Sequence, residues 1–232
     1  MKTTVIIPAA GLGKRIGTEK PKQFVEINDI PIIIKTIQIF DSINDVENIV
    51  ISVHSEWVAY TKELVAKFDC KKVKEITIGG TERQDSVFAG LHSKFVRDSE
   101  IVLIHDAVRP FASPELIQNL INAADEYGAA IPAIQCIDTV KEKSNKGFVV
   151  KTLDREKLIQ VQTPQAFWTT VAIESYAKSS KAGYRGTDSS ALVEFAGYKV
   201  FIVEGEVTNF KITTLTDLEF AKFLLQQPMA VN

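Results

Sequence analysis

Apolar runs of strand length alternate along this chain with longer amphipathic segments, and that alternation narrows the available folds more than any other feature. Val5-Ile6-Ile7, Ile49-Val50-Ile51 and Ile101-Val102-Leu103-Ile104 are continuous and rich in β-branched residues. A strand with one wet face alternates apolar and polar residues, whereas a continuous run suits a strand covered on both faces. Ala129 to Ile134 is a further strand-like run. Helical spacing of apolar residues falls between these runs, over Pro31 to Phe40, Trp57 to Phe68 and Arg83 to Lys94. The strongest helix pattern runs from Pro114 to Tyr127. Ser113 stands at its N-cap, Pro114 at its first turn, and Gly128 where a left-handed C-cap is needed. A last helix is expected from near Leu215, capped by Thr214 or Thr216, and ending before Pro228. The pattern predicts an α/β fold: a Rossmann-like, mostly parallel sheet with helices on both faces.

One stretch breaks the rhythm. Cys136 to Leu153 alternates polar and apolar residues around Ser144-Asn145-Lys146-Gly147, a turn signal, so a projecting β-hairpin arm is expected. Two strands alone are marginal in water, so the arm needs something to pack on. A second subunit and the chain's own domain are the alternatives. The 232 residues suit one domain over 1–232, with the arm, 136–156, as a subelement suited to dimerisation if a second subunit is what it packs on.

Charge and cysteine content exclude several classes of function. A net charge of -2 provides no broad basic face, so neither nucleic acid nor an anionic membrane is an expected partner. Cys70 and Cys136 are too far apart for a CxxC pair and fit a reducing, cytoplasmic setting. His54, His92 and His105 lack zinc-ligand spacing. No stretch reaches the roughly 18 apolar residues of a membrane span.

The segment after the first strand carries the chemistry. In Pro8-Ala9-Ala10-Gly11-Leu12-Gly13-Lys14-Arg15, small residues let backbone N–H groups approach phosphate oxygens. It is not a P-loop, which needs GxxxxGK and a hydroxyl residue. Nor is it a dinucleotide fingerprint, because Ile16 occupies the third glycine position. Arg15 and Lys22 instead place cations where charge develops during phosphoryl transfer. Downstream, Gly79 to Ser86 forms a second glycine-and-polar loop entering a helix, where backbone amides and the Ser86 hydroxyl suit a base edge or a ribose, a helix N-cap and turn being the alternative. Asp106 ends the strand Ile101 to His105, at the edge where open α/β sheets bind ligands. Two readings of it stand: a ligand for Mg²⁺, or an ion pair with Arg109 at the turn before Pro110. His105 reads as an oriented core or turn histidine.

Taken in order, AAGLGKR (from Ala9), PKQF (from Pro21), GGTERQDSV (from Gly79), HDAVRPF (from His105), DTVK (from Asp138), Asp154-Arg155, QTPQAF (from Gln162), GTDSSALVE (from Gly186) and NFKITT (from Asn209) span nearly the whole chain. This set resembles the 2-C-methyl-D-erythritol 4-phosphate cytidylyltransferase family of the non-mevalonate isoprenoid pathway. The resemblance implies an enzyme joining CTP and methylerythritol phosphate into a CDP-alcohol with release of pyrophosphate. It implies that Pro8, Ala9, Ala10, Gly11, Leu12 and Gly13 wrap the triphosphate and that Arg15 and Lys22 stabilise the transition state. Gly80, Arg83 and Ser86 would lie by cytosine and ribose, and Asp106 by Mg²⁺ and substrate. Arg109, Thr139, Arg155, Thr163, Thr187 and Lys211 would face the alcohol phosphate, with Arg155 and Lys211 on its phosphate. A homodimer whose arm reaches the neighbouring site is also implied.

The chain departs from the commoner family pattern at Val108, Ile159, Ser189-Ser190 and Phe210. HDAVRP is also similar to the ribitol-5-phosphate cytidylyltransferase family, whereas Asp154-Arg155 and the AAGLGKR opening favour methylerythritol phosphate. A non-catalytic nucleotide sensor on the same fold would be expected to lose Lys22, Asp106 or Lys211, and all three are present.

Overall fold

The computed structural model describes residues 1–11 and 20–226. Leu12, Gly13, Lys14 and Arg15 therefore lie outside the described residues. The first strand, β1 (Thr3–Ala9), is an interior strand of the sheet. Val5, Ile6 and Ile7 are wholly buried, as their unbroken apolar run requires. Each such side chain contributes about 1.5–3 kcal/mol relative to exposure. After it come a short hairpin, β2 (Glu26–Ile27) and β3 (Ile30–Pro31), and the helix α1 (Ile32–Asp41). There follow β4 (Val46–Val53), α2 (Val58–Lys67), β5 (Val73–Ile78), α3 (Arg83–Leu91), α4 (Lys94–Arg97) and β6 (Ile101–Ile104).

The helix expected over Arg83 to Lys94 is two helices. Ser93 interrupts it by accepting the Phe95 N–H at 3.2 Å, which caps α4. The helix α5 (Pro114–Tyr127) follows its sequence signals closely. The Ser113 hydroxyl accepts from Leu116 N–H at 3.0 Å, and Gly128 closes the helix at φ +82°.

The second half contributes β7 (Ala129–Gln135), the hairpin β8 (Lys141–Lys143) with β9 (Val149–Thr152), then β10 (Ile159–Val161), β11 (Gln165–Trp168), α6 (Thr169–Ala182), α7 (Ser189–Ala196), β12 (Phe201–Glu204) and α8 (Leu215–Gln226). β1, β4, β5 and β6 are parallel neighbours in the order β5-β4-β1-β6. β11 runs antiparallel between β6 and β7, and β12 pairs parallel on β7. Among the described residues β8 and β9 pair only with each other, and both are exposed throughout.

Alternation along the strands splits the core in two. Val5, Ile7, Ile49, Ile51, Ile101 and Leu103 pack on one face, with α1 and α5. Ile6, Val50, Val102 and Ile104 pack on the other, with α3, α6 and α7. Among the described residues no helix is long and apolar enough to cross a membrane.

From β1 the chain winds outward through β4 and β5, then returns to place β6 on the other side of β1. A crevice opens at the carboxyl ends of strands where winding reverses in this way. Here β6 pairs with β1 only as far as Ile6. Pro8, with no N–H to donate, lies beyond that last pair.

Candidate active site

A cavity of about 390 Å³ occupies this crevice. Its walls come from the end of β1 (Pro8, Ala9, Ala10, Gly11), the β5–α3 loop (Gly80 to Arg83, and Ser86) and the end of β6 (Asp106, Ala107, Val108). Lys22, Gln23 and Lys211 complete the described lining.

Gln23 is a residue the sequence reading passed over. It is almost fully buried, and its side-chain amide donates to Ala9 O at 2.7 Å and Gly11 O at 3.0 Å. One amide group thus holds two carbonyls of the glycine-rich turn. The signal was present: a glutamine between Lys22 and Phe24 in PKQF, too polar to be buried without a dedicated job. The facing loop approaches just as closely. A Cβ at Gly79 would lie 2.6 Å from Ala10 Cβ and 2.8 Å from Ser86 Oγ, so only glycine fits there. Ser86 lines the cavity, but its hydroxyl donates back to Glu82 O at 3.1 Å.

The floor is organised by Asp106. Arg83 Nε lies 2.9 Å from its Oδ1, and Lys211 Nζ and Arg109 Nε lie 2.9 and 3.5 Å from its Oδ2. Burial alone would raise this carboxyl, but Arg83, Lys211 and Arg109 together outweigh it and hold the group well below the usual carboxylate range. Arg83 sits in the first turn of α3, where the helix dipole disfavours a cation. The Asp106 carboxylate offsets that cost. Lys211 is fixed through its neighbours. Ile212 N–H donates to Val108 O at 3.0 Å, and Asn209, wholly buried, donates to Thr163 O at 2.9 Å and accepts Arg109 Nη1 on its own carbonyl at 2.6 Å. Lys22 Nζ lies 3.5 Å from Ile212 O, on the same wall.

Behind the floor, His105 is wholly buried. Its Nε2 lies 2.9 Å from Arg109 O, which can only accept, so Nε2 carries the proton. Nδ1 then accepts from the Thr163 hydroxyl at 3.1 Å, and that oxygen accepts from Asp106 N–H at 3.1 Å. Burial, the leading cause, pushes the imidazole down to about 4, against weaker opposing pulls from the Arg109 carbonyl and Asp106. His105 is therefore a neutral bracket between the Asp106 turn and the Thr163 loop, in line with the reading of an oriented core histidine.

The sequence-derived substrate set divides. Asp106, Arg109, Thr163 and Lys211 come together through the contacts above. Thr139, Arg155 and Thr187 are exposed and do not line the cavity. Arg155 Nη1 donates instead to Ile137 O at 2.6 Å. Both oxygens of Asp106 face cations, Arg83 on one and Lys211 with Arg109 on the other. A carboxylate surrounded by two guanidiniums and an ammonium is a poor place for a divalent cation. The ion-pair reading with Arg109 is the one the geometry shows.

The family model described as 2-C-methyl-D-erythritol 4-phosphate cytidylyltransferase matches residues 3–227. The chain belongs to that family. Relatives bearing that name include one from Geobacillus kaustophilus (strain HTA426), 43% identical over 99% of this chain and 100% of its own length. Another, from Bacillus cereus (strain ATCC 10987 / NRS 248), is 42% identical over 96% of this chain and 97% of its own. Among solved structures, the 4-diphosphocytidyl-2C-methyl-D-erythritol synthase of Anaerococcus prevotii DSM 20548 superposes with a TM-score of 0.85 at 33% identity, covering 97% of this chain and 96% of that one. The cytidylyltransferase of Thermus thermophilus superposes with a TM-score of 0.82 at 31% identity, covering 98% and 100%. The family match covers every strand of the sheet and all the loops that line the cavity. The cavity is therefore part of the fold the family shares, and the mixed, mostly parallel sheet is that of its solved members.

Proposed function

We propose that this cavity joins CTP to 2-C-methyl-D-erythritol 4-phosphate, giving the CDP-alcohol and pyrophosphate. The observation that carries the reading is the floor itself: three cations gathered on one buried carboxylate, beside a glycine-rich turn, at the switch point of a family member. The attacking group is a phosphate oxygen that is already anionic. It forms a bond to the α-phosphorus of CTP while the bond from that phosphorus to the β-bridging oxygen breaks, and pyrophosphate leaves with the electron pair. No strong general base is needed; the barrier is repulsion between anions. Lys22 and Lys211 supply charge where the anions meet, and the backbone of Ala10 and Gly11, held by Gln23, receives the triphosphate. Arg15 belongs with Lys22 in this reading on its sequence position. Gly80, Arg83 and Ser86 form the nucleoside side.

Mg²⁺ is part of the proposal. When bound, it would shield the triphosphate, an ion usually held by substrate phosphates and water more than by protein. Asp106, already facing Arg83, Arg109 and Lys211, is a poor ligand for it. The exposed positions of Thr139 and Arg155, flanking the hairpin of β8 and β9, support a homodimer in which 136–156 serves a second copy's cavity within an otherwise single domain. A cytoplasmic location agrees with the free, buried Cys70 and Cys136.

Pyrophosphate release with CTP and Mg²⁺, compared for methylerythritol phosphate and ribitol 5-phosphate, tests the reading. Strong preference for the first is expected; preference for the second, or activity with neither, would overturn it. Lys22→Ala is expected to lower turnover by about a hundredfold, as loss of other charge stabilisers does. Near-normal turnover in that variant would remove Lys22 from the assigned role.

A further inference from the structure

We propose that Ser189 and Tyr176 form a buried hydroxyl pair that sets the orientation of the Arg83 guanidinium in the nucleotide site. Arg83 Nη1 donates to Ser189 Oγ at 3.1 Å, and the Tyr176 hydroxyl lies 2.8 Å from the same oxygen. Among the described residues, Arg83 has only this contact and Asp106 as hydrogen-bond partners, and its Nη2 is buried without one. A guanidinium tied at Nε alone can swing about that tie; a second contact at Nη1 fixes its plane. Ser189 is the fixed point.

Ser189 itself has no room to move. It is wholly buried at the start of α7, and its N–H donates to Gln165 Oε1 at 3.1 Å. Gln165 in turn donates from its amide to Asp188 Oδ2 at 2.7 Å, and Asp188 caps the helix. Tyr176, on α6, is also buried, and burial pushes its phenol up to about 12, so it stays a neutral hydroxyl. The pair thus transmits the position of α6 and α7 to a side chain in the cavity wall. Neither residue lines the cavity, so both are positioning residues.

The inference rests on Arg83 facing the nucleotide, and the experiment separates the two claims. CTP binding to the full chain is measured by calorimetry for wild type, Ser189→Ala, Tyr176→Phe and the double variant, with steady-state KM for both substrates. Ser189→Ala is expected to weaken CTP binding about tenfold, because the guanidinium loses its only neutral anchor. KM for the alcohol phosphate should stay within about twofold, a split that a general loss of stability would not produce. Tyr176→Phe should lie between wild type and Ser189→Ala, and the double variant should be no worse than Ser189→Ala, as expected for one network. Unchanged CTP affinity in Ser189→Ala, or additive effects in the double variant, would overturn the proposal. A wild-type chain that fails to bind CTP would overturn the nucleotide reading and this inference together.

Discussion

Asp106→Asn is expected to lower turnover by at least about a hundredfold and to destabilise the fold by about 3 kcal/mol. The substitution keeps the shape and removes the charge. Arg83, Arg109 and Lys211 then face one another without the anion that gathers them. Arg109 is the most buried of the three and would bear most of the penalty, because it cannot lose its proton. Lys211 is the most accessible and would swing outward, leaving the wall of the cavity. Steady-state assay and urea unfolding of the same preparation check both parts. A variant with wild-type midpoint and turnover would show that the three cations hold their places without the carboxylate. The low titration of Asp106 means its contribution is complete above the ordinary carboxyl value of 3.8 and is lost only in stronger acid, so neutral buffers suffice for the test.

Stability is expected to fall as pH drops from 6.5 to about 4 because of His105. The unfolded chain protonates this imidazole near 6.5, while the folded chain keeps it neutral until about 4. Across that window the unfolded state binds more protons, so stability rises with pH inside it and is level above it. The difference between the two values corresponds to about 3 kcal/mol. His105→Gln can still donate to Arg109 O but does not titrate. Its stability-versus-pH curve should lack this slope, and the difference between the two curves isolates His105 from the carboxylates that titrate lower down. Parallel curves would show that the imidazole takes up its proton within the fold.

Much of the fold was legible because it rests on local pattern. Val5 to Ile7, Ile49 to Ile51 and Ile101 to Ile104 are continuous because the central strands are covered on both faces. Ser113, Pro114 and Gly128 mark α5 because caps are local chemistry. The antiparallel course of β11 was not legible. Its direction is set by pairing with β6 and β7, strands far away in sequence. The sites behaved alike. Pro8 to Gly11, Gly80, Arg83, Asp106 and Lys211 were found from glycine turns, strand ends and motif order, and the structure brings them to one crevice. What Asp106 does there was not legible, since a carboxylate at a strand end reads equally as a metal ligand or an ion partner. Its ion partners Arg83 and Lys211 come from segments remote in sequence. Gln23 and Ser189 were missed because each acts through a backbone carbonyl or a side chain remote in sequence.

The cavity draws on both ends of the chain, and this has a consequence for synthesis. A ribosome releases β1, β4, β5 and β6 first, together with Arg83, Asp106 and Arg109. The parallel centre of the sheet can then pair while the second half is still being made. Asp106 meets two of its cations early, but Lys211 arrives only after β12. The wall that carries Lys211 is thus added after the rest of the described cavity lining. A chain interrupted before that segment would hold Arg83, Asp106 and Arg109 without Lys211, and the cation floor is complete only once it has emerged.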